Sequence, residues 1–61
     1  MKTQQQLKQS PIDIAFDLGA AAYGDGYTSS SNPYDREQQA ELFIAWADGW
    51  RHEKKYWEGK L

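Results

Sequence analysis

Arg51, His52, Lys54, Lys55 and Lys60 are the one concentration of cations in this chain, and Tyr56 and Trp57 are interleaved among them. Cationic groups neutralise phosphates and aromatic faces stack on bases, so this combination can meet RNA through both. It also reads as an ordinary solvated helix end, because cations complement the negative end of a helix dipole and Glu53 and Glu58 dilute them. Other chemistries find fewer residues. His52 has no partner at metal-ligand spacing, and no Ser, His and acid set can be singled out. Gly24-Asp25-Gly26-Tyr27-Thr28-Ser29-Ser30-Ser31 has the glycines and hydroxyls of a phosphate-cradling loop. It lacks the lysine such a loop places before its hydroxyl, and no strand precedes it. Phosphoryl transfer needs metal-binding carboxylates, phosphate-holding donors and a water-excluding pocket, for which Asp25, Asp35 and Arg36 are the best residues near the loop. No catalytic residue, metal or cofactor is expected.

Two helices must position these groups. Ser10-Pro11-Ile12-Asp13 is a helix start: Ser10 as N-cap, Pro11 at the first helical position and Asp13 at the positive end of the dipole. The helix runs to about Tyr23. Ile12, Ala15, Phe16, Gly19, Ala22 and Tyr23 recur at intervals of three and four, a core-facing stripe with Asp13 and Asp17 opposite. The small residues Ala15, Gly19 and Ala22 make that stripe a shallow groove, suited to close approach by a large aromatic from elsewhere. Gly24 or Gly26 ends the helix in the left-handed conformation. After the loop, Pro33 forces Asn32 out of the helical region. Asn32 or Asp35 caps the second helix, with Gln38 in capping-box position to Asp35.

That second helix spans roughly Arg36 to Glu58. Stepping round it at 100° puts Leu42, Phe43, Trp46, Gly49, Trp50 and Trp57 on one face. Glu37, Glu41, Asp48, Arg51, Lys55 and Glu58 lie on the other, with Ile44 stranded among them. Trp46 and Trp50 are read as core. Trp57 lies beyond the reach of the shorter first helix, as a surface aromatic. The expected fold is therefore all-α, a two-helix hairpin with a long connecting loop over residues 10–61. Residues 1–9, polar and Gln-rich with one aliphatic residue, Leu7, form a disordered tail.

Length and composition bound the rest. Sixty-one residues without cysteine allow one small domain and exclude a disulfide scaffold or a thiolate metal site. No apolar run approaches the ~20 residues of a membrane span, so a cytoplasmic protein is expected. Nor do two helices and a loop offer an evident cavity of the ~300 Å³ that a ligand site uses. Seven Lys and Arg against nine Asp and Glu give a net charge of −2, so no global field steers the chain onto nucleic acid or anionic lipid. Residues 1–31 carry two Lys and three Asp, and residues 32–61 five Lys or Arg and six acids, so neither half is basic.

Gly19, Ala22 and Gly26, then Asn32-Pro33-Tyr34, then Trp46-Ala47-Asp48-Gly49-Trp50 form an ordered pattern. It resembles the ribosome modulation factor family and the related small CrpP-type proteins, with the match covering Gly19 to Trp50, about half the chain. The resemblance implies a pair of helices joined by a long loop. It implies a bacterial protein that binds the small ribosomal subunit under stress and regulates translation by promoting inactive, dimerised ribosomes. The CrpP-type relatives imply a remote alternative, phosphorylation of a quinolone antibiotic. Ribosome modulation factors are strongly basic, and this chain is not.

The expected partner is therefore the ribosome or rRNA, or another protein, with a weak homodimer as a further reading. Contact is expected through the loop from Tyr27 to Arg36, including Tyr34, and through Arg51, Lys54, Lys55, Tyr56 and Trp57. The alternative is a protein-binding module without RNA, built on the surplus aromatics Tyr27, Tyr34, Tyr56 and Trp57.

Overall fold

The computed structural model describes residues 9–60. The tail expected over residues 1–9 lies outside the described residues except for Gln9, whose side-chain amide donates to Asp17 Oδ2 at 2.8 Å. Two helices make up the fold, α1 over Pro11–Gly24 and α2 over Ala40–Lys60, joined by a long loop with one 3₁₀ turn at Ser29–Ser31. It is an all-α helical hairpin, as the periodicity predicts.

Local chemistry sets the ends of α1. Ser10 is extended, and its Oγ accepts from the Asp13 N–H at 3.2 Å, with Pro11 in the first turn. At the other end Gly26, at φ 93°, is the residue in the left-handed region. Around it Tyr27 N–H donates to Ala22 O and Gly26 N–H to Tyr23 O, both at 3.0 Å, closing a Schellman motif on two orphan carbonyls. Gly24, the other candidate, stays in the helix.

Asp35 is the cap before α2, but its capping partner is Gln39 rather than Gln38. Asp35 Oδ1 accepts from the Glu37 and Gln38 amides at 2.7 and 2.9 Å, and Gln39 Oε1 accepts from the Asp35 N–H at 3.1 Å. The cap thus takes the Gln38 backbone N–H as a capping box would, while the reciprocal side-chain bond comes from the residue after it. Residues 36–39 form a turn that leads into α2, so the helix proper starts at Ala40, later than Arg36. Asn32 caps nothing on α2. Its Oδ1 accepts from Tyr34 N–H at 3.1 Å and its Nδ2 donates to Phe43 O at 2.9 Å, pinning the loop to the first turn of the helix. Pro33 holds Asn32 in the extended region that this double bond requires.

The helices meet where both are smallest. Buried at the crossing are Ala15 and Gly19 of α1, and Ala45, Trp46 and Gly49 of α2. A Cβ on Gly19 would strike Trp46 O and stand 2.8 Å from its carbonyl carbon; one on Gly49 would strike Phe16 O and stand 2.7 Å from its carbonyl carbon. The body that approaches Gly19 is thus the backbone of α2, not an indole. Both sides of the contact carry the same pattern, Ile14-Ala15-Phe16-x-x-Gly19 and Ile44-Ala45-Trp46-x-x-Gly49. Small residues spaced by four let two helix backbones touch, with dispersion gained along the whole contact.

The core is narrower than the two predicted stripes. Ala22, Tyr34, Leu42 and Trp50 are only partly buried around Ala15, Ala45 and Trp46, and Phe43 is half-buried. Ala45, absent from the predicted face, is buried, because backbone contact at a crossing selects for smallness rather than for apolar bulk. Ile12 is 41% exposed, since it precedes the crossing by a turn. The thinnest extent of the molecule is 15 Å, room for two stacked helices and no third layer.

Two expectations follow. Gly→Ala in an exposed helix gains up to about 1 kcal/mol, so Gly59→Ala, with nothing within 4 Å of the new Cβ, raises the melting temperature. Gly19→Ala and Gly49→Ala each lower stability by about 3 kcal/mol or more, because the obstruction is backbone and cannot rotate away. Equal thermal shifts for all three would contradict the backbone contact. Separately, the Gln38 and then the Glu37 amide hold the Asp35 carboxyl below its ordinary pKa. With the folded value depressed, the stabilisation from the cap is complete above the ordinary carboxylate range and is lost as pH falls through the folded value. Asp35→Asn, read by circular dichroism across acid pH, should remove that part of the acid transition.

Candidate interaction surface

α2 is seven residues longer than α1, 21 against 14, about 10 Å of additional helix at a rise of ~1.5 Å per residue, and it runs from its close approach to α1 at Gly49 on to Lys60. Its last turns carry Lys54, Lys55, Tyr56, Trp57 and Lys60. Tyr56 is 50% and Trp57 47% exposed, in agreement with the surface role expected for Trp57. The two rings meet edge to face at 5.1 Å, Lys60 Nζ lies 5.1 Å from the Tyr56 centroid, and Trp57 Nε1 donates to Glu53 at 2.8 Å. The aromatic patch is therefore ordered by its own helix at low entropic cost.

Part of the positive charge is already engaged. Arg51 bonds Asp48 at 2.7 Å and Lys54 bonds Glu58 at 2.5 Å, both on the helix surface. The Glu58 carboxylate, by hydrogen bond and then by charge, holds the Lys54 ammonium above its ordinary pKa. Exposed pairs of this kind are worth little and yield readily to a stronger anion. His52 is not simply solvated: its ring packs on Phe16, 5.7 Å between centroids.

The other expected contact residues divide. Tyr27 keeps its ring in solvent while its carbonyl accepts from Trp50 Nε1 at 2.8 Å. Arg36 is exposed in the turn before α2. Tyr34 is only partly exposed, because it packs against the Trp46 cluster. Trp50, read as core, is half-buried, its indole shared between the Tyr27 carbonyl and an edge contact to Tyr23 at 5.4 Å. Gly19, Ala22, Gly26, Asn32, Pro33, Tyr34, Trp46, Gly49 and Trp50 all serve the crossing or the loop that covers it.

Surface hollows exist where the sequence suggested none. One of about 310 Å³ is lined by Leu18, Ala22, Asp25, Tyr27, Pro33 and Trp46 among others. Another of about 310 Å³ is lined by Ile12, Phe16, Ile44 and Ala45 and rimmed by Glu41 and Asp48. The second was hidden from pattern analysis because its apolar residues come from two elements; Ile44, stranded among charges, was its one sign. Among the described residues no group of three or more His, Asp or Glu could hold a metal ion, and no helix is long and apolar enough to cross a membrane. No protein-family model, curated protein or solved structure matches the chain.

Trp46 and Trp50 should separate on substitution. Trp46→Ala empties the core, costs about 3–5 kcal/mol and unfolds a chain this small. Trp50→Phe keeps a ring and loses the bond to Tyr27, costing about 1 kcal/mol. Amide exchange there should quicken around Tyr27 and Thr28 while the α1 and α2 amides at the crossing stay protected. Loss of protection at the crossing in Trp50→Phe would show that the two indoles act as one.

Proposed function

We propose that the chain is a small non-enzymatic interaction protein of the ribosome modulation factor type, which contacts ribosomal RNA in a bacterial stress response. The observation that carries this reading is the last turns of α2, where Lys55 and Lys60 stand beside the exposed rings of Tyr56 and Trp57. Cations for phosphates and rings for bases are what a looped RNA asks of a protein. Tyr27 and Arg36, exposed on the connecting loop, extend the contact. The shared pattern from Gly19 to Trp50 supports the reading indirectly, since its residues build the crossing that carries α2.

A protein partner without RNA is the second reading, favoured by the carboxylates that already hold Arg51 and Lys54. Phosphoryl transfer to an antibiotic draws less support. Asp25 lines the hollow beside Trp46, but no cation lines it, and the Asp35 carboxylate is engaged by the Glu37 and Gln38 amides.

Co-sedimentation with bacterial ribosomes across a salt series tests the proposal. Binding at low salt is expected, and Lys55→Glu and Lys60→Glu, each removing one cation from the phosphates, should each reduce the salt slope by ~1. Absence of the chain from the ribosome pellet at low salt would end the ribosomal reading. Binding insensitive to both salt and these substitutions would favour the second.

A further inference from the structure

The side of α2 turned away from the crossing carries Glu37, Glu41, Ile44, Asp48, Arg51 and Lys55, spaced alternately by four and three residues, so they form one continuous stripe. The stripe is acidic up to Asp48 and basic from Arg51. Glu58, next in the series, is paired with Lys54. A helix face whose charge changes sign about its middle is complementary to itself when two copies lie antiparallel, each acidic half against the other's basic half.

Apolar surface follows the same arrangement. In the acidic half Ile44, 55% exposed, stands at the hollow it shares with Ile12, Phe16 and Ala45, which no other segment of the described chain covers. Tyr56, beside Lys55 in the basic half, lies twelve residues along the helix. A two-fold axis between Gly49 and Trp50 would set the second copy's Arg51 against Asp48, exchanging the pair each chain makes internally, and its Lys55 against Ile44, the ammonium within reach of Glu41 a turn away, with Tyr56 alongside at the edge of the hollow. Each contact occurs twice, giving a closed, isologous pair.

We propose that this hollow and stripe are the docking surface for a second copy of the chain, paired antiparallel through α2. Charge complementarity selects the occupant, since the acidic rim of Glu41 and Asp48 matches a basic, aromatic helix end that the chain itself supplies. The proposal stands apart from ribosome binding and is tested on the purified full chain without RNA. The two contacts are mutually exclusive, because Lys55 and Tyr56 cannot face both partners.

Sedimentation equilibrium over a rising concentration series should show the mass climbing from 7.0 kDa toward twice that value, less steeply at high salt as the exposed pairs are screened. Ile44→Asp should weaken association by about tenfold or more, as removal of a central apolar side chain does, with an unchanged circular dichroism spectrum because Ile44 lies outside the core. Glu41→Lys and Lys55→Glu should each weaken it alone, and an equimolar mixture of the two should restore it, because only the mixed pair matches opposite charges at both ends. A single 7.0 kDa species at every concentration would overturn the proposal. So would association that Ile44→Asp leaves intact, or a charge-swapped mixture that stays monomeric.

Discussion

Contact between the backbones of α1 and α2 at Gly19 and Gly49 is the constraint on which the rest of this structure depends. Two helices bury little area, and among the described residues only Ala15, Ala45 and Trp46 leave solvent as apolar side chains. At ordinary helix separations of ~8–10 Å the remaining side chains would bridge the gap loosely. With a carbonyl of each helix seated where the other lacks a Cβ, the backbones touch, and many short dispersion contacts replace the missing bulk. Glycine's unfavourable helix propensity is the cost, borne once on each helix.

The crossing has two similar flanks, because the same Ile-Ala-aromatic-x-x-Gly pattern enters it from both sides, and the described residues close only one of them. On the Trp46 flank the loop returns across the core. Asn32 bonds Phe43 O, Tyr34 packs against the cluster, and the Tyr27 carbonyl takes the Trp50 proton. Trp46 is accordingly 4% exposed. On the Phe16 flank no loop arrives; Phe16 is only half-buried, and Ile12 and Ile44 face solvent beside it. A connection of fifteen residues between Gly24 and Ala40 is thus a structural cover for one side and leaves the other apolar and accessible.

Much of the fold was legible because it rests on local rules. Ser10 and Pro11 start α1, a glycine at 24 or 26 closes it, and Asp35 opens the approach to α2, each through bonds between residues near in sequence. What escaped pattern analysis is tertiary. A 100° projection ranks positions by apolar bulk, so it gave Phe43, which is only half-buried, the same standing as Trp46 and passed over Ala45. It also could not say whether Gly19 receives a ring or a backbone, since both need the same absence of Cβ. The open hollow was invisible for a related reason: Ile12 and Ile44 are ordinary on their own helices and become a surface only when the crossing sets them side by side. The contact residues at the end of α2 were legible as a composition, but the pairs that engage Arg51 and Lys54 depend on rotamers that spacing permits without requiring.

Residues that build the fold and residues free to recognise a partner are almost separate sets here. Apart from Ala47 and Asp48, every member of the Gly19 to Trp50 pattern is committed to the crossing, to the turn that ends α1 or to the loop over Trp46. A chain can keep that pattern entire while the outer stripe of α2, Tyr27 and Arg36 change with little effect on stability, because exposed side chains away from caps and cores contribute only tenths of a kcal/mol. In this chain the scaffold carries an acid-to-base reversal along α2 in place of a uniform basic surface. The two proposed contacts would therefore compete, because each calls on Lys55 and Tyr56.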